Sequence, residues 1–258
     1  MISLLSFDTL VVALVIGAAS GVIGSFILLR RMALVGDALS HVALPGIAFA
    51  LAYEIDPFWG VLVFLLAAAT LVWTLERTTG LYSEALVGLL FTLSLAIGIL
   101  TIPDHEIIES LFGGFSALPQ SVLIVVVGAG ILLIIGTFLL TRRFLFSIIS
   151  PDLASIEASH KSKWHELALL LIFSFVVALG IKLVGTLLMG ALTIIPASIS
   201  KNLSRSISGY IVISSFLGGG IALFGVIAAD YFGFLPGPTV VILGICLFVG
   251  SLFFIRKT

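Results

Sequence analysis

Residues 30–50 read RRMALVGDALSHVALPGIAFA. After Arg30 and Arg31 the stretch is apolar or small, except that Asp37 and His41 stand four residues apart and Pro45 follows four further on. A segment fit for a bilayer therefore carries a carboxylate, an imidazole and a helix-breaker at one helical repeat. Its reading decides both the fold and the search for a site.

The wider composition supports a membrane reading. The 258 residues are 60% hydrophobic and 10% charged, whereas a soluble domain carries about 25% charged residues. Segments with strand-like alternation are absent, which leaves helices as the spanning structure. The expected fold is all-α, a polytopic membrane helical bundle with eight to nine transmembrane helices in one transmembrane domain over 1–258. A spanning helix needs roughly 20 apolar residues. Apolar runs lie at about 8–29, 33–53, 58–75, 84–102, 120–140, 166–183, 185–200, 207–229 and 238–255. The run at 185–200 is short and glycine-rich, so it either crosses or re-enters. No internal repeat stands out. The single cysteine, Cys246, excludes a disulfide framework. No cleavable leader is evident, and a net charge of −1 gives no reason to expect a nucleic-acid partner.

Basic residues set an orientation. With the N-terminus outside and nine crossings, the loops bearing Arg30/Arg31, Arg77, Arg142/Arg143, Lys161/Lys163, Lys201/Arg205 and Arg256/Lys257 share one side. That is 11 of the 12 Lys and Arg residues, and basic loops stay cytoplasmic. Lys182, the exception, ends a span and can snorkel. The opposite loops hold Glu54, Asp56, Asp104, Glu106, Glu109 and Asp230.

Asp37 and His41 share one helix face. Ten residues past Arg31, His41 lies about 15 Å deep at 1.5 Å per residue, near the middle of the hydrocarbon. A carboxylate there costs about 2.5–3.5 kcal/mol even on the lenient insertion scale, so a cavity, a partner or a cation must offset it. One imidazole nitrogen with one carboxylate oxygen suits Zn²⁺, Mn²⁺ or Fe²⁺. Pro45 cannot donate to the carbonyl of His41, which is left free to face a cavity or an ion. Gly36 and Gly46 permit close approach of a neighbouring helix. Hydrogen bonding of Asp37 and His41 to each other or to nearby helices is the plainer alternative.

Other polar residues have simpler readings. Asp104, His105, Glu106 and Glu109 form a solvated acidic loop that could attract cations. His160 and His165 read as surface residues. Ser40 reads as helix packing, and Glu84 as a favourable charge at a helix start. The inner connection within 141–166 predicts a short amphipathic cytoplasmic helix over about 151–159, with Ser150 as N-cap and Pro151 in its first turn. Asp152 favours the same start, and Leu153, Ala154 and Ile156 share a side. The sequence lacks both G-x-x-x-x-G-K-[ST] and H-E-x-x-H, so neither an ATPase nor an intramembrane metalloprotease is expected in this chain.

RRMALVGDALSHVALPGIAFA resembles the signature of the membrane subunits of metal-ion ABC importers, the zinc/manganese/iron permease family. VGTLLMGALTIIPASIS (184–200) is similar to that family's V-G-x-L-L-x-x-A-L-x-I-I-P-A stretch. LPGPTVVILGICLF (235–248) is similar to its closing Pro-Gly-Pro helix. The resemblance covers essentially the whole chain. It implies a transport subunit with no enzymatic activity and no cofactor, set in a bacterial plasma membrane among its lipids. The implied partners are two cytoplasmic ABC ATPase subunits, an extracellular or periplasmic metal-binding protein, and a second copy as homodimer or a near-identical permease. It places the intramembrane cation site on Asp37 and His41, and two copies would offer up to four side-chain ligands. It also makes residues 150–160, with Pro151, Asp152, Leu153, Ala154 and Ile156, the helix that couples to the ATPase. That segment departs from the family's F-D-P-x-x-A pattern, with Ser150 before the proline and Ala158–Ser159 near the expected glycine. The competing function is an ATP-independent, proton-coupled metal transporter or channel using Asp37 and His41 as a relay.

Overall fold

A computed structural model describes residues 6–102, 110–113, 120–149 and 161–254. Ten α-helices occupy them: α1 Phe7–Leu29, α2 Ala33–His41, α3 Ala43–Ala52, α4 Pro57–Thr79, α5 Ser83–Thr101, α6 Gln120–Ile149, α7 Lys161–Val184, α8 Thr186–Leu203, α9 Ile207–Phe232 and α10 Pro236–Ser251. Among the described residues there is no strand. The protein is thus the all-α bundle its composition implies.

The helix ends follow local chemistry. Ser6, Asp56 and Ser206 accept hydrogen bonds from Thr9, Phe58 and Gly209 amides at the starts of α1, α4 and α9. Gly80 and Gly233 close α4 and α9 with positive φ. The turn after α1 is tighter. Arg31 takes φ 61°, its amide bonds Leu28 O and the Met32 amide bonds Ile27 O. This Schellman closure returns the chain at once into α2.

α1 lies at the centre, with small residues where neighbours cross. A Cβ at Gly21 would overlap the backbone of Ser214 in α9, and one at Gly24 would overlap Thr193 in α8. The Oγ of Ser214 donates to Gly21 O at 2.6 Å. Because Gly17 meets Gly218, Gly21 meets Ser214 and Tyr210 donates to Ser25 O, α1 and α9 run antiparallel. Backbones approach closely where hydrocarbon offers no solvation for polar groups.

Eight segments are long and apolar enough to cross a membrane, with α2 and α3 counted as one. The ninth, α8, has its direction fixed by contacts with α10. Leu188 meets Gly237, Ile195 meets Gly244 and Asn202 bonds Ser251, a constant offset of 49 residues. The helices run parallel from end to end, so α8 traverses the bundle alongside a spanning helix. At 1.5 Å per residue its 18 residues reach about 27 Å. The alternative of a re-entrant 185–200 is thereby removed.

Two sequence boundaries need correction. α6 continues through Arg142 and Arg143 to Ile149, nine residues past the expected end, because FLFSII sustains an apolar helix beyond the basic pair. α7 starts at Lys161 rather than 166. The basic end of the bundle is tied together: Glu166 pairs with Arg30 at 2.9 Å and with Arg77 at 3.2 Å. Arg77 lies over the Trp73 ring at 4.2 Å, and Trp73 packs against Trp164. The Arg30, Arg77 and 161–166 segments therefore share one end, as the charge pattern requires.

The α1–α9 seam yields a paired test. Gly21→Ala forces a Cβ into backbone and should lower stability by about 1–3 kcal/mol, the usual cost of overpacking. Gly220→Ala meets open space and should stay close to wild type. Thermal unfolding of both variants in one detergent measures the difference.

Candidate metal site

The site lies where α2 crosses α8. A Cβ at Gly190 would fall 2.7 Å from the Cα and 2.7 Å from Oδ1 of Asp37. Glycine at 190 is therefore what lets α8 come against the Asp37 backbone. Asp37 is half-buried, and among the described residues its carboxylate has no hydrogen bond or ion pair.

His41 sits one turn beyond Asp37 and is 3% exposed. Its ring stands edge-on to Phe91 of α5, with centroids 4.8 Å apart and planes at 81°. Its Nδ1 is buried without a hydrogen-bond partner. The helix is interrupted at the next residue, Val42, and resumes at Ala43. Pro45 causes this, since its ring nitrogen cannot donate to the carbonyl of His41. A ligand-type side chain and a loosened backbone thus fall on the same residue.

An apolar cluster begins one turn past His41. Leu44 and Ala48, one and two turns on, form a small buried cluster with Ile102, joined by Leu95 and Leu111. On the flank, Gly46 meets the Gly60 backbone, where a Cβ would clash. Gly36 is different: a Cβ there would meet Phe173 at an ordinary 3.5 Å, so close approach does not explain that glycine.

The remaining candidates sort out clearly. The Oγ of Ser40 donates to Gly36 O at 3.0 Å and serves its own helix. Glu84 lies in the first turn of α5, as a charge favoured by the helix dipole would. His165 is half-buried at the start of α7, not a free surface residue. Asp104, His105, Glu106 and Glu109 lie outside the described residues, as do His160 and the coupling residues Pro151, Asp152, Leu153, Ala154 and Ile156.

No group of three or more His, Cys, Asp or Glu converges among the described residues. One chain therefore offers one carboxylate and one imidazole here. Further donors to an ion would come from hydroxyls, carbonyls, water or a second copy. Reading the sequence missed the roles of Gly190 and Phe91. The glycine was visible in TLLMGAL, but nothing local says which helix crosses it.

The sequence profile of the ABC 3 transport family matches residues 4–255. The manganese import system permease protein ScaB of Streptococcus gordonii is 30% identical over 254 residues, covering 97% of this chain and 91% of that protein. The high-affinity zinc uptake system membrane protein ZnuB of Haemophilus influenzae is 31% identical over 257 residues, covering 96% of each. Among solved structures, a chain of PsaBC from Streptococcus pneumoniae in complex with Fab superposes with a TM-score of 0.84 at 27% identity. The match spans 95% of this chain and 90% of that one.

A buried ring nitrogen without a partner is a cost to folding of about 1–3 kcal/mol. His41→Phe should therefore raise the melting temperature of the detergent-solubilised protein when divalent cations are chelated. A fall in melting temperature would show that His41 is held by interactions that stabilise the fold.

Proposed function

The chain belongs to the ABC 3 transport family, and from that membership we propose that it is the permease of an ATP-driven importer for a divalent transition-metal cation, with Asp37 and His41 as its intramembrane site. It is a membrane subunit of the ABC transporter type, a transport component with its ATPase on separate chains. One observation carries the metal reading. A carboxylate and an imidazole stand one turn apart in the packed bundle, and neither has a hydrogen-bond partner among the described residues. Ionisable groups inside a membrane mark ion pathways, and this donor pair suits Mn²⁺, Zn²⁺ or Fe²⁺. The ion-specific names of ScaB and ZnuB agree with that class.

The proposed mechanism runs from the outer face inward. The N-terminus lies outside and the C-terminus in the cytoplasm, so the acidic loops receive a cation from an external binding protein. The ion passes Leu44 and Ala48 when that apolar cluster opens, and reaches His41 and then Asp37. A second copy completes the ligand shell across a homodimer. Residues 150–160, which lie outside the described residues, are assigned to receive motion from the ATPase. α6 favours this placement, since its 30 residues extend about 45 Å at 1.5 Å per residue. That exceeds the roughly 30 Å hydrocarbon core and carries the connection clear of the membrane.

Asp37→Ala and His41→Ala should each abolish radiometal uptake by the complete transporter in proteoliposomes, while the protein still inserts and binds its ATPase. Wild-type uptake by both variants would overturn the site. Gly190→Ala, which must displace Asp37, should cut uptake by at least about tenfold, in line with losses from misplacing a ligand's support.

A further inference from the structure

We propose that Thr186 supplies a third donor, its hydroxyl oxygen, to the cation held by Asp37 and His41. The inference rests on the transport reading above and names a residue that tunes which metal the site prefers.

Direction and register bring Thr186 to the site. α8 runs parallel to α10, as shown above, and to α1, since Ile16 and Met189 meet beside Gly180 while Gly24 meets Thr193. α2 returns from α1 through the turn at Arg31 and so runs antiparallel to α8. Asp37 and Gly190 mark their contact. One turn outward on α2 is His41, and one turn outward on α8 is Thr186. Residues four apart share a helix face, so Thr186 and His41 stand at one level across the crossing.

Both residues of this pair also carry buried polar atoms without a partner among the described residues. Thr186 is 0% exposed and its Oγ1 has no partner, like the Nδ1 of His41. Ser40, Ser174, Thr193, Ser200 and Ser214 all donate to carbonyls, and the other buried hydroxyl without a partner among the described residues is Ser20 on α1. Thr193, on the same helix, bonds the Met189 carbonyl four residues back. Thr186 lacks that option because it is the first residue of α8. The chain breaks immediately before it at Gly185, which takes φ 83° where a Cβ would overlap the backbone of Leu111 and Gly113. The break frees the hydroxyl at the level of the histidine.

The chemistry gives a direction. Adding a hydroxyl oxygen to one carboxylate and one imidazole makes the donor set richer in oxygen, which favours Mn²⁺ relative to Zn²⁺ compared with the bare pair. Thr186→Val keeps the shape and removes the oxygen, and Thr186→Ser restores it.

The test uses the complete transporter in proteoliposomes. It measures radioactive Mn²⁺ uptake, its inhibition by Zn²⁺, and thermal unfolding. Thr186→Val should lower Mn²⁺ uptake by about tenfold or more, the scale of losing a supporting ligand group. It should also make Zn²⁺ the stronger competitor and unfold no earlier than wild type. Thr186→Ser should stay within about twofold of wild type on the same scale. If Thr186→Val keeps wild-type uptake and competition while Asp37→Ala is inactive, the Thr186 assignment falls and the site stands. If Asp37→Ala and His41→Ala both transport normally, the whole site falls, and Thr186 with it. If Thr186→Val loses uptake but also unfolds early, with unchanged metal preference, the residue is structural and the proposal fails.

Discussion

Hydrocarbon cannot solvate a carboxylate, and the architecture around Asp37 depends on that constraint. A charge at this depth is tolerated where protein, water or an ion replaces the lost hydration. Here α8 presents a glycine, so the backbone of Asp37 packs tightly at Gly190 while its carboxylate has no hydrogen bond among the described residues. α8 can come so close because it packs parallel to α10 along its length and passes Gly24 of α1. The long helices thus serve to bring one glycine against one aspartate.

The same logic explains the interruptions. Continuous helices satisfy every backbone group internally, and a bilayer penalises any break. This chain breaks at Val42 and at Gly185, both within about a turn of the ionisable pair or its facing residue. Pro45 loosens the backbone at His41, and Gly185 denies Thr186 its own helix as partner. Each break sits beside one of these polar groups, and Leu44, Ala48 and Leu111 pack in a small apolar cluster that begins one turn past His41.

Much of the fold was readable from the sequence because a bilayer enforces length and hydropathy directly. The spans, their number and the grouping of Arg30 and Arg77 with the 161–166 segment follow from that. What escaped was long-range. The helical continuation through Arg142 and Arg143 was hidden by treating a basic pair as a boundary, although an exposed arginine on a long helix needs no loop. The crossing of α8 was ambiguous because eighteen residues with an internal proline fit either reading. Contacts with α10 decide it. Asp37 and His41 announced themselves as charges in an apolar helix. Gly190 and Thr186 carry no such mark: a glycine and a threonine are ordinary in membrane helices, and their roles depend on which helix lies opposite.

A transition-metal cation is proposed to bind between Asp37 and His41. The most direct measurement is the structure of the complete transporter with Mn²⁺, using anomalous scattering to locate the ion. Metal density is expected within coordination distance of the Asp37 carboxylate and a His41 ring nitrogen. Metal density elsewhere in the membrane region, with both side chains engaged only by protein, would contradict it.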